Sequence, residues 1–165
     1  MIRRSLIVIT FLSLSACGLR PLYAGGSGGA VASTLGAIKV APIGGQAGWL
    51  MHNKLADRLA ESGSGAASYR LDVTLDDNIT SYGVRSDEAA TQERRTLRAR
   101  FQLIDLRNGM VVLDDTAGSD ASIDIVSSEY ATVAAEQTAQ ERLAEAIADQ
   151  MVSRLALFVR HSDGK

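Results

Sequence analysis

The chain has 165 residues, 17 of them basic and 19 acidic, for a net charge of −2. That is the length of one domain, and the charge balance excludes the basic footprint of a nucleic-acid binder. The single cysteine, Cys17, excludes an internal disulfide framework, and an aromatic content of 5% weighs against a sugar- or base-stacking site.

The N-terminus carries Arg3 and Arg4, an apolar run from Leu6 to Leu14, and then Leu14-Ser15-Ala16-Cys17. A basic start, a short apolar core and small residues before a cleavage point describe a secretory signal. The run is too short for a transmembrane helix, which needs about 20 apolar residues. With a cysteine at the cleavage point, the stretch resembles the lipobox of bacterial lipoproteins. The resemblance implies a diacylglycerol on the Cys17 sulfur, removal of residues 1–16 and often acylation of the new amino group. Two or more acyl chains hold a protein stably at a bilayer, because each buried CH₂ contributes roughly 0.8 kcal/mol. A secreted signal with a chance cysteine and an uncleaved anchor are the alternatives. By resemblance to Gram-negative lipoproteins, Asp after the cysteine would favour the inner membrane, and Gly18 favours export to the outer membrane. The mature chain keeps 15 basic and 19 acidic residues, a charge of −4, and is long enough to bury a core without a metal or disulfide.

Ala24 to Ala30 is rich in glycine and reads as a flexible linker. A phosphate-cradling loop would need a Lys-Ser/Thr end and a helix directly after it, and neither is expected here. Ile38 to Ile43 is a short strand that Pro42 ends or places at an edge. From Gln46 to about Glu61, Met51, Leu55 and Leu59 recur at helical spacing, with Trp49 and Ala56 beside the stripe. Ser62-Gly63-Ser64-Gly65 stops that helix.

Tyr69 to Asp76 alternates apolar and polar residues, as a half-buried strand does. It runs on to Val84 in this reading, through a bulge at Asp76-Asp77-Asn78. After a polar turn from Arg85 to Ala90, the alternation returns from Glu93 to Leu106. Leu97, Ala99, Phe101 and Leu103 point one way; Arg94, Thr96, Arg98, Arg100 and Gln102 point the other. Arg107-Asn108-Gly109 signals a tight turn into a partner strand from Met110 to about Asp115, resuming through Ala121, Ile123 and Ile125. A long alanine-rich helix runs from Ser128 or Thr132 to Arg160, striped by Leu143, Ile147, Met151, Leu155 and Phe158, ahead of a frayed polar tail. The expected class is α+β: a two-layer sandwich with a mixed four-stranded sheet and two helices on one face, in the order strand, helix, three strands, helix. The expected division is a signal (1–16), an acylated N-terminus and linker (17–34) and a globular domain (35–165).

Catalytic patterns are sparse. His52 and His161 have no partner at metal or catalytic spacing. Asp76-Asp77 and Asp114-Asp115 could bind Ca²⁺ but fit strand ends better, and Glu141 with Glu145 fits a solvated helix face. A hydrolase would need a cleft joining Asp76, Asp77 and His52. No enzyme activity, cofactor or metal is expected. The notable polar feature is Arg94, Arg95, Arg98 and Arg100, four arginines within seven residues. One reading is a solvated face with cross-strand ion pairs to the aspartates of the preceding strand. The other is a site for a phosphorylated ligand, since guanidinium forks bind phosphate oxygens bidentately.

Cys17-Gly18-Leu19-Arg20-Pro21-Leu22-Tyr23 resembles the start of the mature chain in the LptE family of lipopolysaccharide-assembly lipoproteins. The likeness continues through the strand before Pro42, Asn53 to Leu59, the paired strands around Tyr69–Leu75 and Arg98–Leu106, and the long helix from Tyr130. It covers essentially the mature chain. It implies two helices packed on a four-stranded sheet, no enzyme activity, and a lipid-anchored, periplasm-facing place at the outer membrane. It also implies an LptD-like β-barrel partner that this protein plugs, and direct binding of lipopolysaccharide. Arg94, Arg95, Arg98 and Arg100 are candidates for that binding on physical grounds alone. The alternative is another envelope lipoprotein, a structural or interaction module without lipopolysaccharide binding.

Overall fold

The computed structural model describes residues 29–60, 66–84, 90–126 and 128–162. The signal, Cys17 and the first part of the linker lie outside the described residues, as do the Ser-Gly stop at 62–65 and most of the polar turn, 85–89. The elements are helix α1 (Ala30–Leu35), strand β1 (Ile38–Val40), helix α2 (Gly45–Ala60), strands β2 (Tyr69–Val84), β3 (Ala90–Asp105) and β4 (Met110–Asp124), and helix α3 (Glu129–Ser162).

The strands lie in the order β1-β2-β3-β4. β1 runs parallel to β2 and the other pairs are antiparallel, so the sheet is mixed as expected. A parallel pair cannot be closed by a hairpin; α2 supplies the crossover. Helix α1 is an addition, lying within residues assigned to the linker. Ala32 and Leu35 are buried, so the chain is already packed three residues before position 35, where the globular domain is expected to begin. Six residues are too few to show a helical period. A helix does therefore follow the glycine-rich stretch, but the Lys-Ser/Thr end of a phosphate loop is still missing.

Met51, Leu55 and Leu59 of α2 are buried, as their spacing requires. Gly48 sits against the loop before the helix: a Cβ there would lie 2.7 Å from the Ile43 carbonyl oxygen. Trp49, beside the stripe, is exposed. In β2 and β3 the odd positions face inward. Leu71, Leu97, Ala99, Phe101 and Leu103 are fully buried and form one core with Met51, Leu55, Ile147, Met151 and Leu155.

The expected bulge at Asp76-Asp77-Asn78 is absent. The β2–β3 ladder keeps one register from Tyr69 opposite Asp105 to Tyr82 opposite Gln92. Asp77 does point inward there, but Arg95 neutralises it, so the strand has no need to bulge. The irregularity lies instead in β3–β4, where Leu103 faces Leu113 and Ile104 faces Val111, leaving Val112 as the extra residue. The turn between them has Gly109 at φ +72°. Asn108 Oδ1 accepts from the Met110 N–H at 2.9 Å, and the Asp105 carbonyl accepts from the Gly109 N–H at 2.8 Å.

α3 has 34 residues, about 51 Å of helix at 1.5 Å per residue. Ser128 caps its start, its hydroxyl accepting from the Ala131 N–H at 3.4 Å. The helix continues through His161 and Ser162, which the sequence assigns to a frayed tail. It runs beside α2 in the same direction, joined by Arg58 to Asp149 at 2.7 Å and to Glu145 at 3.4 Å, with Lys54 near Glu145 at 3.9 Å.

Candidate functional site

The helices cover one face of the sheet and leave the other open. On that open face the period of two sets out rows across β2, β3 and β4: Thr80, Arg94, Ser122; then Asp76, Arg98, Gly118; then Thr74, Arg100, Thr116. Arg94, Arg98 and Arg100 therefore share the outer face. Arg95 does not.

Arg95 points inward, with 12% of its side chain exposed against 22% for Asp77. Its Nε donates to Asp77 Oδ1 at 2.9 Å and its Nη2 to Oδ2 at 2.6 Å, a bidentate pair. Its Nη1 donates to the Glu136 carbonyl of α3 at 3.3 Å. With the Gln140 amide oxygen turned toward these donors, it accepts from Arg95 Nη2 at 3.0 Å and from the Ala47 N–H at 3.3 Å. This group ties β2, β3, α2 and α3 together, which is a structural task.

Arg94 and Arg100 do pair, but not with the β2 aspartates. Each reaches diagonally to the β4 residue two positions before its register partner. Arg100 forks Asp114 at 3.0 and 2.7 Å. Arg94 lies 3.8 Å from Asp120 and 5.7 Å from the Tyr82 ring centroid. For Arg98 the same diagonal leads to Thr116, which has no charge. Among the described residues Arg98 has no ion pair or hydrogen bond, and it lies across Gly118, where a Cβ would meet its Nη1 at 2.9 Å. Arg70 turns along its own strand to Asp72, at 2.8 and 3.0 Å.

These bonds set the charge states. Hydrogen bonds from Arg100 and then Gln102 hold the Asp114 carboxyl down at about 2, and the bond to Asp114 pushes the Arg100 guanidinium up. Arg70 is raised by Asp72 in the same way. Asp72, Asp114 and Asp120 are thus committed to their partners; Asp76, opposite Arg98 in register, makes no ion pair with it, and Arg98 is the outer arginine left for another anion. Around it Thr74, Asp76, Arg100, Thr116 and Arg154 bound an open trough of about 510 Å³. Arg154, from α3, holds one wall by donating to Asp115 at 2.8 Å and to the Thr116 carbonyl. No pattern along the chain points to Arg154, because it lies far from the arginine cluster, on a helix.

The other candidates are dispersed. Asp76 faces outward and Asp77 inward, while His52 lines a separate groove beside β1 with Ile38, Val40 and Ala56. The Asp76, Asp77 and His52 cleft that a hydrolase would need is not formed. Asp114 and Asp115 bind different arginines. Glu145 pairs with α2, and His161 Nδ1 lies 2.6 Å from the Leu157 carbonyl. Among the described residues no three His, Cys, Asp or Glu side chains gather as a metal site, and no helix is long and apolar enough to cross a membrane.

Fold and face define a small two-layer α+β domain whose sheet presents a charged open surface. Residues 35–155 match the family model described as LptE, lipopolysaccharide-assembly. The chain belongs to the LptE family. A Caulobacter crescentus protein described as a lipoprotein superposes with a TM-score of 0.64 at 25% identity, over 79% of this chain and 96% of that one. The minor lipoprotein of Acinetobacter baumannii (TM-score 0.60, 12% identity, 73% and 90%) and rare lipoprotein B of Shewanella oneidensis (0.58, 10%, 76% and 98%) share the fold. A search of curated proteins found no match.

Proposed function

We propose that this protein is an outer-membrane lipoprotein, anchored through Cys17, that works with an LptD-like β-barrel to place lipopolysaccharide in the outer leaflet. It acts as barrel plug and as a lipopolysaccharide-binding factor, without covalent chemistry. Family membership over residues 35–155 supports the assembly role. The observation that carries the binding reading is Arg98, which makes no ion pair among the described residues and lies in a trough that Arg100 and Arg154 also line, with Asp76 as its one acidic wall residue. Guanidinium groups bind the phosphates or acidic sugars of lipid A and core as they bind carboxylates, and an exposed one is already poised to do so. Arg95 is dropped from the binding set, because its donors are spent on Asp77 and Glu136.

Affinity purification of the lipidated protein from its own envelope tests the partner, which should be an outer-membrane barrel; recovering none removes the plug role. Lipopolysaccharide binding by an R94A/R98A/R100A variant tests the face. Unchanged affinity moves the site elsewhere while leaving the family assignment intact, and favours the alternative of an interaction module that does not bind lipopolysaccharide.

A further inference from the structure

The two ends of the sheet differ in charge as well as in position. At the β3–β4 turn, Leu106, Met110 and Val111 are exposed, Met110 by 63%. The outermost row of the open face here is Lys39, Arg70, Ile104 and Val111. Lys39 has no ionic partner among the described residues, and the nearby Asp72 and Asp105 are each committed to an arginine. Apolar side chains beside a surplus of positive charge suit the surface of an anionic bilayer. The opposite end also exposes apolar groups, Tyr130 by 85%, but among exposed Asp120, Asp124 and Glu129. An anionic surface would repel it.

The chain leaving α1 is sewn to the turn end. The Ala37 carbonyl accepts from the Ser68 N–H at 2.9 Å, and the Ser68 carbonyl accepts from the Leu106 N–H at 3.0 Å. Ser33 and Thr34 of α1 share a hollow with Arg107. Gly29 follows Cys17 by twelve residues, with Gly25, Gly26, Ser27 and Gly28 among them. Twelve residues reach at most about 43 Å even when fully extended. The anchored lipid and the turn end are therefore held within one short reach of each other.

We infer that the β3–β4 turn is a second membrane contact of the anchored protein before a barrel partner takes it up. Leu106, Met110 and Val111 enter the headgroup boundary, Lys39 meets lipid phosphates, and the sheet is held in a fixed orientation on the bilayer. The inference rests on the reading of Cys17 as the anchor. It is tested on the full lipidated chain in phosphatidylethanolamine–phosphatidylglycerol vesicles. Once Cys17 is acylated, M110C or Y130C supplies a sole thiol for a fluorophore, which spin-labelled lipid then quenches. Quenching at 110 should exceed that at 130 by about twofold or more, and should weaken when phosphatidylglycerol is omitted. Equal quenching at the two sites on anchored protein overturns the second contact alone. A label that also enters Cys17, on protein that does not float with the vesicles, overturns the anchor and this inference together.

Discussion

On β3, two arginines three residues apart meet opposite surroundings. Arg95 is nearly buried and its donors are taken by Asp77, Glu136 and Gln140. Arg98 is exposed and has no such partner among the described residues. The strand period separates them: an odd number of residues puts neighbours on opposite faces. A run of arginines in a strand is thus two populations, one fastening the layers and one facing solvent. The same partition holds for Asp76 and Asp77 and for Asp114 and Asp115. Charge density along the chain says little about charge density in space until the register is known.

If the inward face carries stability and the outward face carries binding, substitutions should sort by parity. The largest effect is expected from Phe101→Ala, which empties the centre of the core and costs about 3–5 kcal/mol. Urea unfolding measures it; a loss below 1 kcal/mol would mean the layers are not packed as described. Arg95→Ala comes next, at about 1–3 kcal/mol, because it strands a half-buried carboxylate. Replacing both partners, R95M with D77L, should recover much of that loss, since apolar pairs often substitute for buried ion pairs without penalty. A double variant as unstable as the single would show that Gln140 and Glu136, not Asp77, dominate the site.

Much of this division can be read before folding. Leu97, Ala99, Phe101 and Leu103 define the inward parity, and that parity already sends Arg94, Arg98 and Arg100 outward. The fate of Arg95 could not be read, because it continues the inward positions with a charge where the pattern asks for an apolar residue. Its burial is tolerated only because Asp77 arrives opposite from β2 and Gln140 from α3, a convergence of three distant segments. The solitude of Arg98 is equally hidden. It depends on Thr116 and Gly118 falling where β4 elsewhere puts Asp114 and Asp120, which requires the β3–β4 register and the extra residue at Val112. Helix α1 is not legible because six residues, mostly small, carry no period. The stripe of α2 is legible because it recurs over more than two turns, and that of α3 because it recurs over more than four.

Outward substitutions should leave stability alone and change binding. Arg98→Glu is expected to alter unfolding by no more than about 0.5 kcal/mol. It should weaken lipopolysaccharide binding by roughly tenfold, the value of one charge-assisted hydrogen bond. Gly118→Ala is a finer probe of the same residue. The new methyl would sit 2.9 Å from Arg98 Nη1, the free end of a flexible chain, so the guanidinium moves and the backbone does not. Titration calorimetry should show a smaller loss than for Arg98→Glu, with the melting temperature unchanged. Binding unaffected by both would place the ligand off this trough.

The smallest effect concerns acid. Asp114 is held at about 2 by Arg100 and Gln102, against about 3.9 for an aspartate in an unfolded chain. A carboxyl lowered on folding contributes stability that is complete above the unfolded value and disappears as pH falls through the folded one. Asp105, lowered by its bonds from Arg107, acts in the same direction. The Arg100–Asp114 pair is solvent-exposed, and buried Asp105 meets an Arg107 that is itself open to solvent, so the gain is modest and screened by salt. Between about pH 4 and pH 2 the wild type should therefore lose slightly more stability than Asp114→Asn, and the two curves should converge as the pH nears 2. Carboxyl carbon shifts followed by NMR give the midpoint directly. A midpoint near 3.9 would mean that Arg100 is not committed to Asp114 in solution, and that two outer arginines, not one, stand open to an anionic ligand.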